Sequence, residues 1–239
     1  GALVSLGIAP WATHTTTPGA VDSFLDVGAS GATNPFTGHV DGVGQAQYAA
    51  GVHPNVTGDI TFTAAAAPET LRFNTDGVAL TQDGYGMTLG SGGILVTSSI
   101  TTGASLSGGV LTSNFDADGA ASGVVCDLMI HNYGGGVFEI GSTITDNGVN
   151  AVNLVLGGTG TTRLSGANSH TGNNYLVGGT MELGSDAALG AVPGAAVADN
   201  LYLNGGTLRA LESFTINANR GITLGDLKGV LDVFVNGTH

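Results

Sequence analysis

The sequence predicts an all-β chain wound as a parallel β-helix, a β-solenoid. Three observations predict it. Gly supplies 42 of the 239 residues, without the strict every-third-residue period of collagen. Gly-Gly pairs recur, beginning at Gly92, Gly108, Gly135, Gly157, Gly178 and Gly205. Short alternating apolar runs adjoin them: Leu154-Val155-Leu156, Met181-Glu182-Leu183 and Thr207-Leu208-Arg209-Ala210. Glycine admits the positive φ that a sharp corner needs. Alternation places Met181 and Leu183 on one face and Glu182 on the other. One such unit cannot bury its own apolar face, but stacked units can.

The Gly-Gly pairs step by 16, 27, 22, 21 and 27 residues. A winding of three short strands and three turns needs roughly 20–25 residues. The 181 residues of 59–239 therefore predict roughly eight windings and a rod of roughly 40 Å.

Residues 1–58 read as an irregular N-terminal arm, cap or linker, and residues 59–239 as the β-helix. The arm holds Pro10, Pro18, Pro35 and Pro54 and the chain's one tryptophan, Trp11. Extended structure is expected there, with a helical turn at Asp22-Ser23-Phe24-Leu25-Asp26. Trp11 is expected to anchor the arm on a neighbouring surface, as an isolated aromatic usually packs.

From Asp59 the pattern becomes regular. Asp59-Ile60-Thr61-Phe62-Thr63, Thr70-Leu71-Arg72-Phe73-Asn74, Met87-Thr88-Leu89 and Ile94-Leu95-Val96-Thr97 read as strands. Asp76-Gly77, Asp83-Gly84 and Gly92-Gly93 read as turns between them. Phe138 and Ile140 should point inward with Glu139 outward, and Leu201 and Leu203 inward with Tyr202 outward. In the last run Leu231, Val233 and Val235 should share one face, with Asp232 and Phe234 on the other. Asn168, Asn204 and Asn217 are suited to turns. Ser185-Asp186-Ala187-Ala188-Leu189-Gly190 is the best short helical candidate.

One stretch carries a family resemblance. Leu164, Ser165, Gly166, Ala167 and Asn168, then Thr171 and Gly172, then Gly178, Gly179 and Thr180, then Leu183 and Gly184 follow one another in residues 164–190. This run resembles the autotransporter-associated β-strand repeat of bacterial surface proteins. His170 stands where the repeat has tyrosine, and Asn173-Asn174-Tyr175 stands where it has Gly-Thr-Thr. The stretches Gly7-Ile8-Ala9-Pro10-Trp11-Ala12 and Leu89-Gly90-Ser91-Gly92-Gly93-Ile94-Leu95 resemble segments that accompany it. The resemblance implies a secreted, right-handed parallel β-helix passenger with no catalysis in the repeat. It also implies flanking repeats of the same polypeptide as partners.

Charge narrows the partners further. Lys and Arg total 5 and Asp and Glu 18, a net charge of −13. No basic stripe exists to neutralise phosphates, which argues against nucleic acid or an anionic membrane as a direct partner. No transmembrane run is read in the sequence, and both ends read as stopping inside a strand–turn pattern, as in a section of a longer polypeptide.

The chemistry-bearing residues are sparse. Glycoside hydrolysis needs two carboxylates around the bond. Asp116 and Asp118, with Asp127 near, are the only close set, and the same pair is a weak calcium candidate. An Asp118-Gly119 turn explains them more simply. No cofactor is otherwise expected. Arg72, Arg163, Arg209, Arg220 and Lys228 are scattered, although stacking would bring Arg163 and Arg209 onto one side. His14, His39, His53, His131, His170 and His239 lack metal-ligand spacing and read as surface or turn residues. Cys126, the sole cysteine, reads as a small buried hydrophobe. Asn55-Val56-Thr57 and Asn236-Gly237-Thr238 fit the glycosylation triplet, which often arises by chance.

The preferred reading is a non-enzymatic structural section of a secreted surface or fibre protein. It would act as a rigid spacer and adhesive scaffold at the cell surface and be able to assemble with neighbouring copies. The alternative is a glycan-binding or glycan-degrading β-helix, or a tailspike-like adhesin.

Overall fold

The structure is a computed structural model that describes residues 7–14, 23–27, 33–35, 38–116 and 125–233. Two long parallel sheets form the main faces. The first has nine strands, in the order Val40–Asp41, Pro54–Val56, Thr70–Phe73, Gly93–Val96, Cys126–Asn132, Val152–Gly158, Asn174–Leu176, Val197–Leu203 and Arg220–Leu224. The second has eight: Ile60–Thr61, Ala79–Thr81, Gly103–Ser107, Val137–Ile140, Thr161–Leu164, Thr180–Leu183, Thr207–Ala210 and Val230–Val233. A third face is a sheet only in the earlier windings, through Gly86–Leu89, Val110–Ser113 and Thr143–Ile144. Later it is closed by loops and a 3-10 turn at Asp186–Leu189, where the sequence placed its helical candidate. The described chain is thus a parallel β-solenoid of about seven windings.

The count of eight was too high for a definable reason. Gly92 opens the strand Gly93–Val96, while Gly108 turns the chain between the second and third faces of the same winding. Their 16-residue step is not a winding. Paired positions on the first face give the true repeat: Leu71, Ile94, Ile130, Leu156, Leu176, Leu203 and Leu224 lie in one column. Successive differences along it are 23, 36, 26, 20, 27 and 21 residues.

That column faces the core, as does Leu80, Leu106, Ile140, Leu164 and Leu183 on the second face. Each fully buried aliphatic side chain contributes about 1.5–3 kcal/mol from apolar surface removed from water. Phe138 and Ile140 point inward with Glu139 outward, and Leu201 and Leu203 inward with Tyr202 outward, as alternation predicts. Corners fit glycine by two routes. Gly158 has φ +98°, and a Cβ there would stand 2.1 Å from the Asn132 carbonyl oxygen. Gly136 has no such φ, but a Cβ would meet the Gly103 nitrogen at 2.3 Å.

The N-terminal region differs from its reading. Gly7–His14, Ser23–Val27 and Thr33–Pro35 form a three-stranded antiparallel sheet with Ser23–Val27 in the middle. The helical turn expected at residues 22–26 is therefore a strand. Five residues are too few to nucleate a stable helix, and pairing on both sides satisfies the extended backbone. Trp11 lies on the first of these strands, its side chain outside the described set. That strand runs against Gly93–Val96 and Cys126–Asn132. There Leu95 and Met129 point away from the core yet are buried. The parallel ladder itself begins at Val40, before the regular pattern starts in the sequence. Asp118, Phe234, Val235, Asn236-Gly237-Thr238 and His239 lie outside the described residues.

Candidate functional site

Outward and inward polar residues line up because each winding repeats the register of the last. On the second face, Glu139, Arg163, Glu182, Arg209 and Asp232 stack in one column. Arg163 Nη2 lies 2.9 Å from Glu182 Oε2, Arg209 Nη1 3.3 Å from Glu182 Oε1, and Arg209 Nε 2.8 Å from Asp232 Oδ2. Stacking does bring Arg163 and Arg209 to one side. Both are committed to carboxylates of adjoining windings rather than presented to a uronate. Half-exposed pairs of this kind contribute about 0–1 kcal/mol each.

The repeat-like stretch is a set of inter-winding fasteners. Leu164 and Leu183 point into the core. Ser165 Oγ donates to Glu139 Oε1 at 2.7 Å. Gly166 and Gly172 pass so close to the previous winding that a Cβ would meet Ser142 O at 2.5 Å and Val152 O at 2.4 Å. Ala167 is exposed. Asn168 is buried and links three windings: its Oδ1 accepts from Ile144 N and its Nδ2 donates to Ala188 O. Thr171 donates its N–H and hydroxyl to the two oxygens of Asp146 at 2.8 and 2.7 Å. Gly178, Gly179 and Thr180 make the corner into Thr180–Leu183, with Gly179 at φ +67°. Gly184 follows that strand, with open space around its Cα. Asp76 repeats the Asp146 arrangement, accepting from Thr101 and Thr102. Those hydrogen bonds, the Thr101 hydroxyl first, hold its carboxyl well below the usual carboxylate range.

His170 departs from its reading as a surface residue. It is fully buried, its Nε2 is 3.2 Å from Asn174 Oδ1, and its Nδ1 has no hydrogen-bond partner. The winding turns it inward over Gly190, where a Cβ would fall 2.8 Å from the ring. Beside it Arg220, whose side chain is fully buried, is held by Asp186 Oδ1, Asn200 Oδ1 and the carbonyls of Leu189 and Gly190. Neither residue was legible as buried, because their neighbours are 20 to 34 residues away.

Burial pushes the His170 imidazole below its ordinary value, with Arg220 acting the same way and Asn174 and Asp146 opposing. His53 is lowered by burial against the opposing Glu69 carboxylate, and His39 falls to about 4 through burial and nearby Arg72. These folded values lie below the unfolded 6.5, so stability is complete above pH 6.5 and is lost as pH falls. Melting temperature should therefore drop between pH 6.5 and about 4. His39→Asn and His170→Asn should each flatten the slope. A melting temperature unchanged across that window would refute the assignment.

No catalytic constellation is assembled among the described residues. Cys126 is buried, and burial first, then Asp116 and Asp127, pushes its thiol up, as expected of a packed side chain. A shallow depression lined by Arg163, Ser165, Ala167, Gly184, Ser185 and Glu212 holds one carboxylate, not two. No group of three His, Cys, Asp or Glu suited to a metal ion occurs among the described residues. No described helix is long and apolar enough to cross a membrane.

The chain is similar to part of the adhesin BmaC autotransporter of Brucella suis biovar 1 (strain 1330). The two are 29% identical over 265 aligned positions, covering all of this chain. The chain fits an autotransporter passenger-type β-helix. It spans 7% of the length of that relative. No family model and no solved structure matches it.

Proposed function

We propose that the chain is a section of a bacterial surface or secreted adhesin, a rigid spacer that is not an enzyme. It would stack end to end with flanking repeats of its own polypeptide and with neighbouring copies. Nucleic acid, membrane insertion and a required cofactor form no part of this reading. The similarity to a named adhesin supports the class. One observation carries the stacking role: the apolar interior is exposed at the C-terminal end of the ladder. Ile222, Leu224, Leu231 and Val233 continue the inward columns, yet are 38, 57, 57 and 65% exposed. The backbone edge beside them is of the kind that pairs with further strands.

Sedimentation over a concentration series tests it. Oligomers should grow with concentration and disappear in Leu231→Lys. A chain that stays monomeric at high concentration would refute end-to-end assembly. Beads coated with the chain should attach to host cells or extracellular matrix, and failure to attach would refute the adhesive part.

A further inference from the structure

Alternation turns a second set of side chains outward on the first face, in three adjoining columns. The middle one runs Met129, Val155, Tyr175, Tyr202 and Thr223 across successive windings. Met129 is covered, but Val155, Tyr175 and Tyr202 are only half-buried. The two tyrosines are direct partners, with ring centroids 6.0 Å apart and planes tilted by 58°.

Beside the rings runs a row of carboxamides, Asn153, Asn173 and Asn200, starting from Asp127. Their contacts order them. Asn153 Nδ2 donates to Asp127 Oδ1 at 2.9 Å, and Asn173 N–H donates to Asn153 Oδ1 at 2.8 Å. Asn173 Nδ2 donates to the Tyr175 hydroxyl at 3.4 Å. On the other side the Tyr202 hydroxyl lies over Gly225, where a Cβ would stand 2.5 Å from it. An aromatic strip edged by fixed donors and acceptors suits a ligand with both apolar C–H faces and many hydroxyls.

Charge selects among such ligands. The strands carrying Val155, Tyr175 and Tyr202 contain no Lys or Arg, and the chain's net charge is −13. Polyuronates and sulfated glycans would be repelled.

We propose that Tyr175 and Tyr202, with Asn153, Asn173 and Asn200, form a binding strip for a neutral glycan lying along the solenoid axis. This deepens the adhesive reading by naming the class of molecule bound. The rings would stack on sugar C–H faces. The carboxamides and tyrosine hydroxyls would bond sugar hydroxyls.

The test is calorimetric titration of the whole chain with cellohexaose, chitohexaose and maltohexaose, and with a polyuronate as control. At least one neutral hexaose should bind, and Tyr175→Ala and Tyr202→Ala should each weaken it tenfold or more. Tyr175→Leu and Tyr202→Leu keep apolar bulk in the ladder, and should lose binding without losing the fold. Arg163→Ala, on the second face, should change nothing. The proposal is overturned by no binding at millimolar sugar, by preference for the polyuronate, or by folded leucine variants that bind normally. Beads that still attach to cells while no sugar binds would sink this strip and leave the adhesive reading standing. Beads that fail to attach while a hexaose binds would do the reverse.

Discussion

Phe138→Ala should destabilise the solenoid by about 3–5 kcal/mol, the cost of removing a buried aromatic and leaving a cavity. Phe138 is fully buried on the second face, and its ring centroid is 4.8 Å from that of Phe73, two windings earlier on the first face. The pair therefore ties two sheets and three windings together across the interior. The hole cannot collapse easily, because inter-winding hydrogen bonds fix the rise of each winding. Chemical denaturation followed by far-ultraviolet circular dichroism reads the loss. A second transition could appear, since solenoid stability is a sum of neighbouring interfaces. A midpoint shift worth under about 1 kcal/mol would mean that this interior is not packed as described.

Arg220→Met should cost a comparable amount, about 3–5 kcal/mol, because it breaks a buried ion pair from one side. The guanidinium satisfies Asp186, Asn200 and the carbonyls of Leu189 and Gly190 together. Methionine fills the volume but leaves every one of those acceptors without its donor. The damage should be local, loosening the loop around Asp186–Leu189 and the last two windings. Hydrogen exchange should thus speed up at Leu201 and Leu203 while Ile94 and Leu106 stay protected. Uniform protection in the variant would show that the cluster does not hold this end.

The extent to which the sequence exposed all this follows from range. Alternation is a local property, so the strand Thr207–Ala210 and the inward set of Phe138, Ile140, Leu201 and Leu203 could be read directly. The 3-10 turn at Asp186–Leu189 was also local. The number of windings was not, because Gly92 and Gly108 look alike as corners and differ only in which face they follow. His170 and Arg220 escaped for the same reason. Their burial depends on residues one winding away, and winding length varies from 20 to 36 residues. Arg163 and Arg209 could be placed on one side, but their common partner Glu182 needed the register. The Tyr175–Tyr202 pair, 27 residues apart, likewise exists only once Leu176 is matched to Leu203.

The unequal windings carry one more implication. Between Ile94 and Ile130 the chain spends 36 residues on a turn that takes 23 between Leu71 and Ile94. Both advance the axis by one interstrand spacing, about 4.8 Å. Extra residues therefore bulge sideways and leave reach untouched. Lateral decoration can be lengthened, trimmed or exchanged without shifting anything farther along the shaft, so recognition can diversify while distance from the cell is conserved.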